Sequence, residues 1–113
     1  MKIVDGTITI DELRRMAADR FGNLVKAVVD VERELIAVDA ELHADLEALL
    51  LEDGSQQKNL WGINLYPEMP REEFIEFDSV INIRPSQGNK SRDVESEEIR
   101  RRIVAILEKR IQG

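Results

Sequence analysis

The chain has 113 residues, 42% of them hydrophobic and 35% charged, which is enough apolar material for one folded domain and too much for a disordered chain. Its 16 basic and 23 acidic residues leave a net charge of −7, so the average surface repels phosphate backbones and anionic membranes, and non-specific nucleic-acid binding is excluded. The absence of cysteine excludes disulfides, thiolate metal sites and thiol nucleophiles.

No run approaches the roughly 20 apolar residues of a membrane helix, so no membrane partner is expected. Met1-Lys2-Ile3-Val4-Asp5-Gly6 lacks the apolar core of a signal peptide. A single cytoplasmic domain spanning 1–113 is the resulting expectation.

Thr9 followed three residues later by Glu12 reads as a capping box. Ile10, Leu13, Ala17 and Phe21 then recur at helical spacing until Gly22, which predicts an amphipathic helix over about 10 to 21. Val25, Ala27, Val29 and Val31 alternate against Lys26, Val28 and Asp30, and Leu35 to Val38 form a second β-rich run. The two are expected to pair as a hairpin through Glu32-Arg33-Glu34.

Glu41-Leu42-His43-Ala44-Asp45-Leu46-Glu47 alternates polar and apolar residues as a strand would. A helix fits as well: Asp45 is a good N-cap, Leu46, Leu49 and Leu50 share one face, and Gly54 is a natural stop. A short helix over about 46 to 53 is the preferred reading.

Leu60 to Tyr66 reads as a strand, with Trp61, Ile63 and Leu65 on one face and Gly62, Asn64 and Tyr66 on the other, closed by Pro67 and Pro70. From Phe74 to Arg84 the alternation is sharper. It places Ile75, Phe77, Ile81 and Ile83 inward and Glu76, Asp78, Asn82 and Arg84 outward, as expected of an antiparallel partner.

Ser96 caps a last helix with Glu97 and Glu98 in its first turn, Lys109 and Arg110 in its last, and an apolar stripe of Ile99, Ile103, Ile106, Leu107 and Ile111. The expected fold is α+β: a two-layer sandwich in which helices pack on one face of a mainly antiparallel, four-stranded sheet.

With helices on the Trp61 face, the opposite face carries Asn64, Tyr66, Asp78, Asn82 and Arg84 together, cross-strand neighbours standing about 5 Å apart. The loop Arg84-Pro85-Ser86-Gln87-Gly88-Asn89-Lys90-Ser91-Arg92 is the one locally basic segment. Within it Arg84, Ser86, Gln87, Asn89 and Arg92 are candidate contacts to a phosphate or carboxylate, although the phosphate-loop spacing is not met.

His43 is the only histidine and hence the one side chain that ordinarily exchanges a proton near neutral pH. With Asp78 as its partner it forms the candidate catalytic pair. A metal site would need ligands beyond these two, so no metal and no other cofactor is expected. Ser79, Ser86 and Ser91 lack a nucleophile-elbow setting.

Two readings follow, and composition favours neither, so enzymatic activity stays open. The first is binding of, or action on, a small anionic ligand at the polar sheet face and the 84–92 loop. The second is a non-catalytic interaction module whose polar face or β edge receives a protein partner or a second copy as a homodimer.

Taken together, Glu41-Leu42-His43-Ala44-Asp45, Leu60-Trp61-Gly62-Ile63-Asn64-Leu65-Tyr66-Pro67 and Ile81-Asn82-Ile83-Arg84-Pro85-Ser86-Gln87-Gly88-Asn89 resemble a family of small prokaryotic proteins known as domain of unknown function family 5674. The resemblance spans nearly the whole chain and implies no activity. Members of that family carry a Gly-Gly pair just before the Glu-Leu-His segment, where this chain has Asp39-Ala40, a departure that bears on any role requiring a glycine turn there.

Overall fold

In the computed structural model, which describes residues 1–113, the chain opens with a strand that its sequence pattern did not announce. This strand, β1 (Lys2–Val4), lies antiparallel to β4 (Leu35–Val38), with Ile3 opposite Ala37. The short β2 (Ile8–Thr9) leads straight into α1 (Ile10–Asp19), where Thr9 is the N-cap and pairs with Glu12, though through its hydroxyl and not its backbone amide. The Glu12 amide donates to Thr9 Oγ1 at 3.1 Å, and that hydroxyl donates to Glu12 Oε1 at 3.3 Å.

β3 (Val25–Asp30) and β4 form the expected hairpin, Ala27 opposite Val38 and Asp30 opposite Leu35. The turn into α2 needs a left-handed residue, and Asp39 supplies it with φ +74. Aspartate tolerates that conformation better than most side chains, and Arg20 Nε holds it by donating to Asp39 Oδ1 at 2.9 Å. A glycine-type turn is thus kept without a glycine.

α2 (His43–Glu52) begins earlier than the Asp45 cap implied: Leu42 is the N-cap, contributes no side-chain cap, and leaves His43 as the first helical residue. After β5 (Leu60–Leu65) come the two-residue β6 (Ile75–Glu76), then α3 (Glu97–Arg110), capped by Ser96 Oγ accepting from the Ile99 amide at 3.2 Å. The last strand, β7 (Ile111–Gln112), pairs in parallel with β2. The main sheet has five strands in the order β1-β4-β3-β5-β6, with every adjacent pair antiparallel.

Helices cover both faces of this sheet, which corrects the expected one-faced, four-stranded arrangement. Ala27, Val29, Ile36 and Val38 face α1 and α3, meeting Leu13, Ala17, Ile103 and Leu107. Val28 and Ala37, one residue out of phase, face α2 and meet Leu46 and Leu50. The central strands are therefore buried on two sides, which is why Ala27-Val28-Val29 and Leu35 to Val38 are unbroken apolar runs. Truncating fully buried Leu46 or Leu50 to alanine would cost about 2–5 kcal/mol, so α2 is integral to the fold.

The long strand expected over 74–84 is also replaced. β6 pairs with β5 only at Leu65↔Ile75 and Asn64↔Glu76. The chain then turns away through Val80–Asn82, where Ser79 Oγ accepts from the Ile81 amide.

Asn82 completes the edge of β5 with its side chain instead of its backbone. Its Oδ1 accepts from the Gly62 amide at 2.8 Å, and its Nδ2 donates to the Gly62 carbonyl at 2.9 Å and to the Arg92 carbonyl at 3.0 Å. The alternation is inverted as a result, with Asn82 wholly buried and Ile83 exposed. Gly62 permits this approach: a Cβ there would sit 2.6 Å from Ser79 Cβ and Oγ.

Two substitutions check this junction by chemical denaturation. Asn82→Ala strands the Gly62 amide, its carbonyl and one bond to the Arg92 carbonyl, and should cost about 3 kcal/mol. Gly62→Ala forces Ser79 outward and should cost about 2 kcal/mol. A loss below about 0.5 kcal/mol in both, the range of an ordinary surface change, would show that the 79–94 segment does not depend on this contact.

Candidate functional site

Beyond the N-terminus of α2 the sheet face is no longer covered by helix and turns polar. Register places Lys26 of β3 opposite Asn64 of β5, and Asn64 opposite Glu76 of β6, so three strands set one polar row across the sheet. Asn64 Nδ2 donates to Glu76 Oε1 at 2.8 Å, and the Tyr66 hydroxyl donates to the same oxygen at 2.9 Å. Burial, then the Glu76 carboxylate, raises the Tyr66 phenol above its ordinary value, so it remains a donor. Asn64 Oδ1 is buried and accepts from no group of the protein.

His43 closes one side of this row. Its Nε2 lies 2.8 Å from the Ile63 carbonyl oxygen, and since a carbonyl can only accept, Nε2 carries the proton and Nδ1 is the lone-pair nitrogen of the neutral ring. Burial pulls the imidazole below its ordinary value; the Ile63 bond and Asp78 oppose that, while Lys26 and Arg92 reinforce it. The ring is therefore neutral at pH 7 and stands at the positive end of a helix whose first turn has no side-chain cap.

On the other side, Arg92 Nε donates to Asp78 Oδ1 at 2.6 Å. The backbone of Arg92 is fixed as well, its carbonyl accepting from the Ser79 amide and from Asn82 Nδ2, each at 3.0 Å. Asp78 therefore directs its hydrogen bond to Arg92 and acts on His43 through charge alone. The structure thus brings His43, Asn64, Tyr66, Asp78 and Arg92 into one neighbourhood and adds Lys26 and Glu76. Lys26 could have been found as the one cation within a valine-rich strand, and Glu76 from its place in the outward alternation.

The remaining loop residues are arranged differently from the expectation that they would face a ligand with these. Buried Arg84 donates from Nε to the Ile81 carbonyl at 3.1 Å, from Nη1 to the Gln57 carbonyl at 2.7 Å and from Nη2 to the Leu60 carbonyl, with its guanidinium 4.3 Å from the centroid of the Trp61 ring. Burial lowers its pKa, and Glu47 opposes that.

Asn89 Nδ2 donates to the carbonyls of Asn82, Ser91 and Asp93, and its Oδ1 accepts from the Glu95 amide at 2.9 Å. Asn82, Arg84 and Asn89 thus spend their donors on main-chain oxygens, apart from one bond of Arg84 Nη1 to Gln87 Oε1 at 3.4 Å, and shape the loop from inside. Gln87 reaches the Lys58 carbonyl, which puts it and neighbouring Ser86 beside the start of β5, about 13 Å along the strand from Asn64 at roughly 3.3 Å per residue. No three His, Asp or Glu side chains converge as a metal-ligand set.

No helix of the structure is long and apolar enough to cross a membrane. No curated protein and no solved structure matches the chain. Residues 2–110 match a family described as a protein of unknown function, DUF5674, and with nearly the whole of the chain covered, the protein belongs to that family.

Proposed function

We propose that the polar face around His43 binds a small anionic ligand, with a carboxylate or phosphate group seated between the N-terminus of α2 and Arg92. What supports this reading is that His43 stands at an α2 N-terminus without a side-chain cap, while Lys26 of the polar row and Arg92 both act on its ring through their charge. Asp78 is the counter-charge that keeps Arg92 in place until a ligand takes over the guanidinium. Asn64 Oδ1, buried without a donor, and the lone pair of His43 Nδ1 would accept from N–H or O–H groups of the same ligand. His43 is the group able to remove a proton there, because it is neutral and its Nε2–H is anchored. Asn82, Arg84 and Asn89 support Arg92 through the loop they hold, and Ser86 and Gln87 lie outside this set.

The test is a thermal-shift and calorimetric titration of the whole chain with inorganic phosphate and small di- and tricarboxylates. Stabilisation should grow with concentration, reaching about 2.7 kcal/mol at a hundredfold excess over Kd. Arg92→Ala should abolish it, and Asp78→Asn should tighten binding severalfold by freeing the guanidinium. Anion affinity unchanged in both variants, with both folded, would contradict this reading.

A second consequence concerns pH. The His43 pKa is lowered in the folded protein, so the stability it contributes is complete above the unfolded value of about 6.5 and is lost as pH falls from there towards the folded value. The His43 contribution should fall by at most about 1.4 kcal/mol per pH unit in that window, so His43→Gln should lose measurably less than wild type. Equal slopes for the two proteins in urea denaturation at pH 7.5, 6.5 and 5.5 would show that the ring is not held neutral.

A further inference from the structure

A mainly apolar concavity lies on the opposite face from His43. It is a groove of about 470 Å³ between α3 and the segment leading through β6, within the roughly 300–1,000 Å³ range of small-molecule sites. Phe74, Ile75 and Phe77 form one wall and Val104 and Leu107 the other. Phe74, Ile75 and Phe77 are partly buried against the main core and leave apolar surface open to the groove.

Its polar groups are confined to Arg71 and Glu72, from the turn Arg71–Glu73, and Glu108 of α3. Arg71 pairs with Glu108 and so spans the groove from one wall to the other. Glu72 has no ionic partner.

We infer that this groove is a ligand site, separate from the His43 face, for a small molecule with an apolar body and a cationic end, such as a hydrophobic amine. The rim carries one cation and two carboxylates, and the cation is already satisfied by one of them. An apolar acid would have to displace Glu108 from Arg71 and then sit beside both carboxylates, in a chain whose net charge is −7. An ammonium group meets Glu72 with nothing to displace, while the apolar body covers the aromatic and aliphatic walls. A second copy of the chain is disfavoured as the occupant by the same −7 charge on each molecule.

The experiment is an amide-resolved NMR titration of the full chain with n-octylammonium, n-octanoate and n-octanol, each kept below its aggregation concentration. Octylammonium should shift Phe74 to Phe77 and Val104 to Leu107 saturably and bind at least about fivefold tighter than octanoate, the scale of exposed charge pairs acting in opposite directions. Glu72→Gln, a change on an exposed side chain, should shrink that preference, and Glu72→Lys should reverse it. Octanoate binding as tightly as octylammonium, or shifts centred away from the groove, would overturn the inference. So would groove resonances that move with protein concentration alone, because the occupant would then be a second copy.

Discussion

The outer edge of β5 is the constraint from which the rest of this structure follows. One side of the strand is paired along all of its residues with β3, while the other side meets β6 only at Asn64 and Leu65. Buried main-chain donors and acceptors must be satisfied, and at Gly62 this is done by one side chain, the carboxamide of Asn82, which presents an acceptor and a donor in the geometry of a neighbouring strand. Gly62 has no Cβ to hold Ser79 away, so the turn lies against the strand. The same Asn82 nitrogen bonds the Arg92 carbonyl, and the Ser79 amide bonds it too. One carboxamide therefore satisfies the sheet edge and fixes the backbone of the residue whose guanidinium pairs with Asp78.

Charge is distributed with the same economy. At the far end of β5 Arg84 is buried without a carboxylate in contact, its charge spread over three carbonyl oxygens and the face of Trp61. Its role is to tie the Gln57–Asn59 turn and the start of β5 to the loop that Asn89 braces from within. Around His43 the cations Lys26 and Arg92 are opposed by Asp78, and the N-terminus of α2, which has no side-chain cap, carries Asp45 in its first turn.

Much of the fold was legible in the sequence. The Thr9 cap, the β3–β4 hairpin, the strand expected over 60–66 and found over 60–65, and the Ser96-capped helix all rest on short-range signals of capping and period. The two-faced sheet was written in Ala27-Val28-Val29 and Leu35 to Val38, whose lack of polar interruption reports burial on both sides, but alternation at the flanking positions masked it. The start of α2 was obscured because Leu42 is not a capping residue type, so Asp45 drew the boundary inward. The 74–84 segment misled most. Its alternation is real, yet a side-chain amide standing in for backbone cannot be told in sequence from a polar residue on an exposed face. For the same reason His43, Asn64, Tyr66, Asp78 and Arg92 were legible as candidates, while the inward role of Asn82, Arg84 and Asn89 was not.

The most direct measurement of this account is amide hydrogen exchange at Gly62 in the wild-type protein and in Asn82→Ala. If the carboxamide replaces a strand, the Gly62 amide is protected in wild type to the level of neighbouring β5 amides. In the variant it then exchanges fast together with residues 79–94, while the β3–β4 hairpin keeps its protection. A Gly62 amide equally protected in both proteins would contradict the account, because the edge of β5 and the placement of Arg92 would then be secured by something other than Asn82.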